Sequence, residues 1–214
     1  TRLIVPSKLL KLFTINFDIF IRTTLLTFSF LWITYLGSKL GEDYLAINTI
    51  LMQFILFASF FLDAYAFSTE GVIGYSVGRR VKKSFLLAVK NSFEISFITS
   101  IMISIIYIFF AKHFINLLTD LDLIRLLSYG FIFWIIIIPP IASFCYQFDG
   151  IFIGASETSS MRNSMIVSVT LYIIVSIYLL KAFDNHGIWF SLLILMILRS
   201  FTLNLFFKKI LKKF

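Results

Sequence analysis

The segment PPIASFCYQFDGIFIGASETSSMRNSM, residues 139–165, decides how this chain is read. It continues a long apolar run, interrupts it with Pro139 and Pro140, keeps one acid, Asp149, among apolar neighbours, and ends in small and polar residues around Arg162. Pro139 and Pro140 lack the backbone donor that an interior helical turn needs, so they are read as a helix break. In lipid, the carbonyls they free must be satisfied by protein or trapped water. A charge near mid-bilayer costs roughly 2.5–3.5 kcal/mol on insertion scales, so Asp149 is expected to face a cavity or a partner. A bent helix that carries an acid inward is one way transporters build a site.

The totals agree with a membrane setting. Mean hydropathy is +0.96 and 14% of residues are charged, against about 25% in soluble domains. The expected fold is an all-α polytopic membrane protein. Net charge is +8, but the basic residues fall in short loops, as the positive-inside rule predicts, and not in a nucleic-acid-binding stripe. Cys145 is the only cysteine, so no internal disulfide or Cys-based metal site can form. His113 and His186 lie near loops without a second ligand at metal spacing, so no metal is expected. No cleavable signal peptide is apparent. A start on Thr1 rather than Met leads to the expectation that the chain is a fragment of a longer one.

Six apolar windows are long enough to cross a ~30 Å hydrocarbon core, which takes about 20 residues each. They run over about 13–38, 44–77, 84–111, 123–152, 161–180 and 188–207. The second and fourth exceed one span, so each is expected to continue as a broken or tilted helix. Arg2, Lys8, Lys11, Arg79, Arg80, Lys82, Lys83, Arg162, Lys208, Lys209, Lys212 and Lys213 fall on one side, and Lys39, Lys112 and Lys181 on the other. Twelve against three places both termini in the cytoplasm. Tyr44, Tyr107, Tyr129 and Trp189 stand near span ends, where an aromatic belt would put them. GxxxxGK[ST] and GxGxxG do not occur, nor is there a His-Glu or Ser-His constellation at a suitable depth, so no enzymatic activity is expected.

The polar residues within the spans are the candidate site. Asp18 and Arg22 are four apart and could pair on one helix face; either could line the inner mouth of a cavity. Asp63 and Glu70 share a helix face, with Gly71, Gly74 and Gly78 beyond them allowing close helix approach. Glu70 is expected to pair with Arg79 or Arg80, and Lys90 with Glu94. Asp149 has no basic residue within a turn or two; its local partners are Ser143, Tyr146 and Gln147. Such an acid could load and release a proton, or hold Na⁺ with neighbouring oxygens. Asn48, Gln53, Asn163 and Asn204 are explained by helix–helix hydrogen bonding. Of the interior cations, Arg22 alone is a candidate for contacting an anion.

Three of these motifs together resemble a known family. Asn16-Phe17-Asp18-Ile19-Phe20-Ile21-Arg22-Thr23 is similar to the opening of the seventh helix of multidrug and toxic compound extrusion (MATE) transporters of the DinF-like branch. Leu45-Ala46-Ile47-Asn48 with Gln53, and Leu62-Asp63-Ala64-Tyr65-Ala66-Phe67 with Glu70 and Gly74, resemble its eighth helix and the loop after it. Phe148-Asp149-Gly150-Ile151-Phe152-Ile153-Gly154-Ala155 with Met161-Arg162-Asn163 resembles its tenth helix and the following turn. The likeness covers most of the chain in order. The family's glycine-glutamine pair after helix eight reads Gly74-Tyr75 here.

The resemblance implies one six-helix lobe of a twelve-helix transporter of the MOP superfamily, with the N-terminal lobe of the same polypeptide as its missing partner. It implies a bacterial inner-membrane antiporter exporting amphipathic, often cationic compounds in exchange for H⁺ or Na⁺. Asp149 matches a tenth-helix acid implicated in cation binding in a sister branch. The alternative within the superfamily is a lipid-linked oligosaccharide flippase, whose site should be basic enough to hold pyrophosphate. Charge reversal of Arg79, Arg80, Lys82 and Lys83 should disturb topology more than substrate affinity. The check is labelling of that loop from the cytoplasmic side, and unchanged labelling would contradict the orientation.

Overall fold

A computed structural model describes residues 6–214. Arg2 and the side chains of Lys8 and Lys11, three of the charges in the orientation count, lie outside what it describes. The described chain forms α1 (Pro6–Leu40), α2 (Glu42–Gly78), α3 (Lys82–Leu118), α4 (Asp122–Tyr129), α5 (Ile132–Gly154) and α6 (Thr158–Leu211). Asp184 leaves the helical conformation inside α6 (φ 48°, ψ −130°) and divides it into an outgoing arm, 158–183, and a returning arm, 185–211. The arms are antiparallel: Ser164 and Thr202 hydroxyls meet at 2.5 Å, and Lys209 reaches the Ser160 hydroxyl at 3.5 Å. With α1, α2, α3 and α5, this makes six membrane crossings.

Hydrophobicity explains the arrangement only against lipid. Phe60, Phe109 and Phe13 are each at least 70% exposed, which a water-facing surface of this extent would not tolerate. Helix–helix association in lipid instead depends on close packing and interhelical hydrogen bonds. Helix α5 has the most enclosed span, packed against α2, α3 and α6. Helix α1 lies on α6 and α2. Helices α1 and α2 are separated by Gly41 alone, whose φ of 117° suits a residue without a Cβ.

Two glycines set how closely α2 and α5 approach. A methyl group added to Gly150 would run into the Ala66 carbonyl, and one added to Gly154 would meet the Glu70 carbonyl at 2.5 Å. The small residues expected to mediate close approach were Gly71, Gly74 and Gly78. Around Gly71 and Gly78 there is open space, and Gly74 alone meets its neighbour, at the Gly154 carbonyl. The contact face of α2 is therefore offset from most of its glycine series, and the close approach is made by the glycines of α5.

The expected break at Pro139 and Pro140 does not occur: α5 runs through both. At Pro140 there is a substitute donor. Pro140 cannot bond the Ile136 carbonyl four residues back, and the Ser104 hydroxyl of α3 donates to that oxygen at 2.7 Å. The interruption in this region falls earlier, at Gly130–Phe131, dividing the long fourth window into α4 and α5. The second window is not broken at all; α2 has 37 residues, about 55 Å at 1.5 Å per residue, enough to overshoot the core at both ends.

The aromatic belt also needs revision. Tyr107 and Trp189 are buried. Tyr107 donates to the Phe54 carbonyl at 2.7 Å, and the Trp189 indole to Asn48 Oδ1 at 2.9 Å, while Asn48 Nδ2 donates to Asn185 at 2.7 Å. These are the interhelical bonds foreseen for Asn48, with two aromatic residues drawn in as partners.

Ser104→Ala should leave the Ile136 carbonyl unsatisfied and lower stability by about 1–3 kcal/mol, with Ser104→Thr recovering most of it. Thermal unfolding in detergent measures this, and an unaltered midpoint in Ser104→Ala would contradict the capping role.

Candidate functional site

The site gathers where α1, α2, α5 and the returning arm of α6 converge. Asp149 stands about one turn before the end of α5, 6% exposed. It is not solitary. Arg22 of α1 donates from Nη2 to Asp149 Oδ2, and Arg199 of the returning arm donates from Nη2 to the same oxygen at 2.6 Å. Arg22 keeps 15% of its side chain exposed, while Arg199 is 1% exposed. The expectation of an acid without a cation therefore fails, because both cations come from helices distant in sequence.

Arg199 is further seated by its neighbours. Its guanidinium lies 5.9 Å from the Tyr146 ring centroid, within cation–π range, and Nη1 lies 3.6 Å from the Met196 sulfur. Cys145 meets the same sulfur at 3.6 Å. Two buried cations on one anion would leave an excess positive charge. Asp63 of α2 supplies the balance: it is half-buried and within electrostatic reach of Arg22, Asp149 and Arg199. Among the described residues Asp63 makes no hydrogen bond or ion pair. The four side chains sum to zero charge when all are ionised.

The other sequence-predicted residues fall in two places. Tyr146 belongs to the cluster through Arg199. Gln147 faces α2, where the Thr69 hydroxyl donates to its Oε1 at 2.8 Å. Asp18 does not pair with Arg22. It accepts from Arg162 Nη1 at 2.5 Å and from the Thr158 hydroxyl at 3.0 Å, both at the start of α6. A helix-spanning pair won over the i, i+4 pair because Arg22 is claimed by Asp149. That start of α6 is also tied to the chain's last residues: Lys213 pairs with Glu157 at 2.7 Å and donates to the Ala155 carbonyl at 2.7 Å. No ion pair joins Glu70 to Arg79 or Arg80 among the described residues. Arg79 instead donates to the Tyr75 hydroxyl. Lys90 and Glu94 do pair, exposed, at 3.6 Å.

Arg199 is the residue that sequence reasoning passed over. Its signal was present: one arginine inside the apolar run LLILMILRSFTLNLFF, residues 192–207. The insertion cost that singled out Asp149 applies equally to Arg199. The view of Arg22 as the one interior cation of interest is corrected accordingly. Among the described residues, no three His, Cys, Asp or Glu side chains are grouped so as to hold a metal ion.

Six apolar crossings around a buried, charge-balanced cluster define a polytopic membrane protein with an intramembrane polar site. Comparison with known proteins gives the family. The MatE family model matches residues 19–179, and the chain belongs to that family of polytopic membrane transporters. It is 34% identical over 193 residues to DNA damage-inducible protein F of Escherichia coli (strain K12), covering 90% of this chain and 42% of that protein. It is 25% identical over 182 residues to Protein DETOXIFICATION 43 of Arabidopsis thaliana, covering 85% of this chain and 34% of that protein. The chain thus spans less than half the length of these relatives.

Asp149→Asn should remove the ion-pair partner of the buried Arg199 and cost about 3–5 kcal/mol. Arg22→Gln should cost less, since Arg22 is the more exposed partner. Unfolding midpoints in detergent give the order, and an Asp149→Asn protein as stable as wild type would contradict the shared ion pair.

Proposed function

We propose that this chain is one lobe of a secondary active antiporter that exports amphipathic, often cationic compounds in exchange for H⁺ or Na⁺ by alternating access. The observation that carries the reading is the ion-paired group of Asp149, Arg22 and Arg199, with Asp149 and Arg199 buried, in a MatE-family bundle. Ionisable groups held within a membrane commonly mark ion or substrate pathways. The N-terminal lobe of the same polypeptide would face α1 and α2 across a cavity, open alternately to each side. Phe and Ile surfaces would take the apolar part of the substrate, and a carboxylate its charge. Cation loading at the site would weaken substrate binding, and by linkage substrate would weaken cation loading. The chain would lie in a bacterial inner membrane as a multi-pass protein, with both ends of this segment cytoplasmic, as its Lys and Arg distribution favours.

The flippase alternative calls for interior cations free to hold pyrophosphate. Arg22 and Arg199 are both engaged by Asp149, which supports cation export instead.

Dye efflux from vesicles holding the full-length protein, under separate pH and sodium gradients, tests the reading. Efflux driven by either gradient is the expected result. Efflux indifferent to both would overturn the antiport.

A further inference from the structure

Two runs of cations meet at one end of the bundle. Arg79, Arg80, Lys82 and Lys83 form the α2–α3 turn and the start of α3, and Lys208, Lys209, Lys212 and Lys213 close the chain at the end of α6. Phe85 joins the runs: its buried ring lies 5.9 Å from that of Phe207 and 4.9 Å from that of Phe214, centroid to centroid. Lys213 is taken by Glu157. The other seven are exposed, and among the described residues none of them has an ion pair. Arg79 and Lys209 reach hydroxyls and aromatic rings, which leave their charge unanswered. Cations gathered in this way at the ends of membrane-crossing helices attract anionic lipid headgroups.

A groove leads down to the same end. Its volume is about 510 Å³, within the range of small-ligand sites. Ile141, Phe144 and Phe148 of α5 line one wall, and Ile197, Phe201 and Asn204 of the returning arm line the other. Helix α3 adds Phe93 and Phe97, whose rings lie 5.9 and 5.6 Å from that of Phe144. Phe201 is exposed, so the groove opens toward lipid.

The returning arm orders its side chains as a phospholipid orders its parts. Ile197, Phe201, Asn204 and Lys208 are spaced four, three and four apart, which is one continuous helix face. Along that face an apolar wall gives way to a carboxamide and then to an ammonium group. Asn204, expected to bond a neighbouring helix, is exposed and makes no hydrogen bond among the described residues. Phe207 ties the groove to the cations, its ring lying 6.2 Å from Phe148 in the wall and 5.9 Å from Phe85 beside the basic turn.

We propose that this end of the bundle is a selective site for an anionic glycerophospholipid. An acyl chain lies in the groove, the ester region meets Asn204, and the phosphate meets Lys208, with Lys212 and the α2–α3 turn adding positive field. The groove accepts any lipid tail, and the cations supply the selection. A zwitterionic lipid brings its own ammonium group, which the same cations repel. The site shares no residue with the Asp149 cluster and does not rest on the antiport reading.

The test is native mass spectrometry of the full-length protein released from mixed micelles holding equal amounts of phosphatidylglycerol and phosphatidylcholine. Wild type should retain phosphatidylglycerol in at least about fivefold excess. Lys208→Gln combined with Lys212→Gln should bring the two lipids to near parity; both lysines are exposed and unpaired, so the fold is not at stake. Ser200→Leu, which fills the groove and leaves every charge in place, should remove the retained lipid of either kind. Asn204→Phe narrows the same groove and replaces it if Ser200→Leu does not assemble. Equal retention of the two lipids by wild type overturns the proposal. So does a preference that survives the double lysine change. A lipid still retained with the groove filled also overturns it, leaving only diffuse surface attraction. Inorganic phosphate should not displace the lipid, and displacement would mark a simple anion site and overturn the lipid assignment.

Discussion

One carboxylate oxygen shared by two guanidinium groups holds this bundle in register. Asp149, Arg22 and Arg199 lie on three separate helices, and none of the charges could be buried in an apolar surround alone. Each therefore fixes the rotation and depth of the other two helices. The arginine on the returning arm is entirely enclosed, so that arm cannot turn away without exposing or orphaning a charge. The ends of the helices follow the same logic: Asp18 with Arg162, and Lys213 with Glu157, tie the α5–α6 turn to α1 and to the last residues of the described chain.

Charge balance also explains why the cluster needs four members. A single acid with two arginines would leave a net positive charge in a low-dielectric setting. Asp63 removes it from a distance, without forming a bond. The result is a site with one anion held by two guanidinium groups and one partly accessible anion without a hydrogen-bond or ion-pair partner among the described residues. That difference follows from geometry alone, since the two acids are the same chemical group on adjacent helices.

Much of the fold was legible in the chain because lipid imposes simple rules. Long apolar runs had to be helices, and the fold class follows from them. What was not legible was anything decided between helices. The divide between α4 and α5 lies at Gly130–Phe131, inside a run with no charge to mark it, whereas the more conspicuous Pro139 and Pro140 are accommodated by a serine from α3. Tyr107 and Trp189 have the composition of interfacial residues, but hydrogen bonds to Phe54 and Asn48 take them inside. In the site, Asp149 stood out because it was alone among apolar residues. Its partners did not, because Arg22 had a nearer acid in sequence and Arg199 lay 50 residues away. Local spacing identifies which residues need a partner; only the packing of helices chooses it.

The bare contact of Gly150 and Gly154 with the backbone of α2 has a mechanical outcome. At these two positions backbone meets backbone, so there is little side-chain layer there that could shear or repack. Sliding α5 by one turn toward its C-terminal end would bring Tyr146 into the space Gly150 now leaves to Ala66. Helices α2 and α5 are therefore pinned to one another at this crossing, close to the residues that carry Asp63 and Asp149.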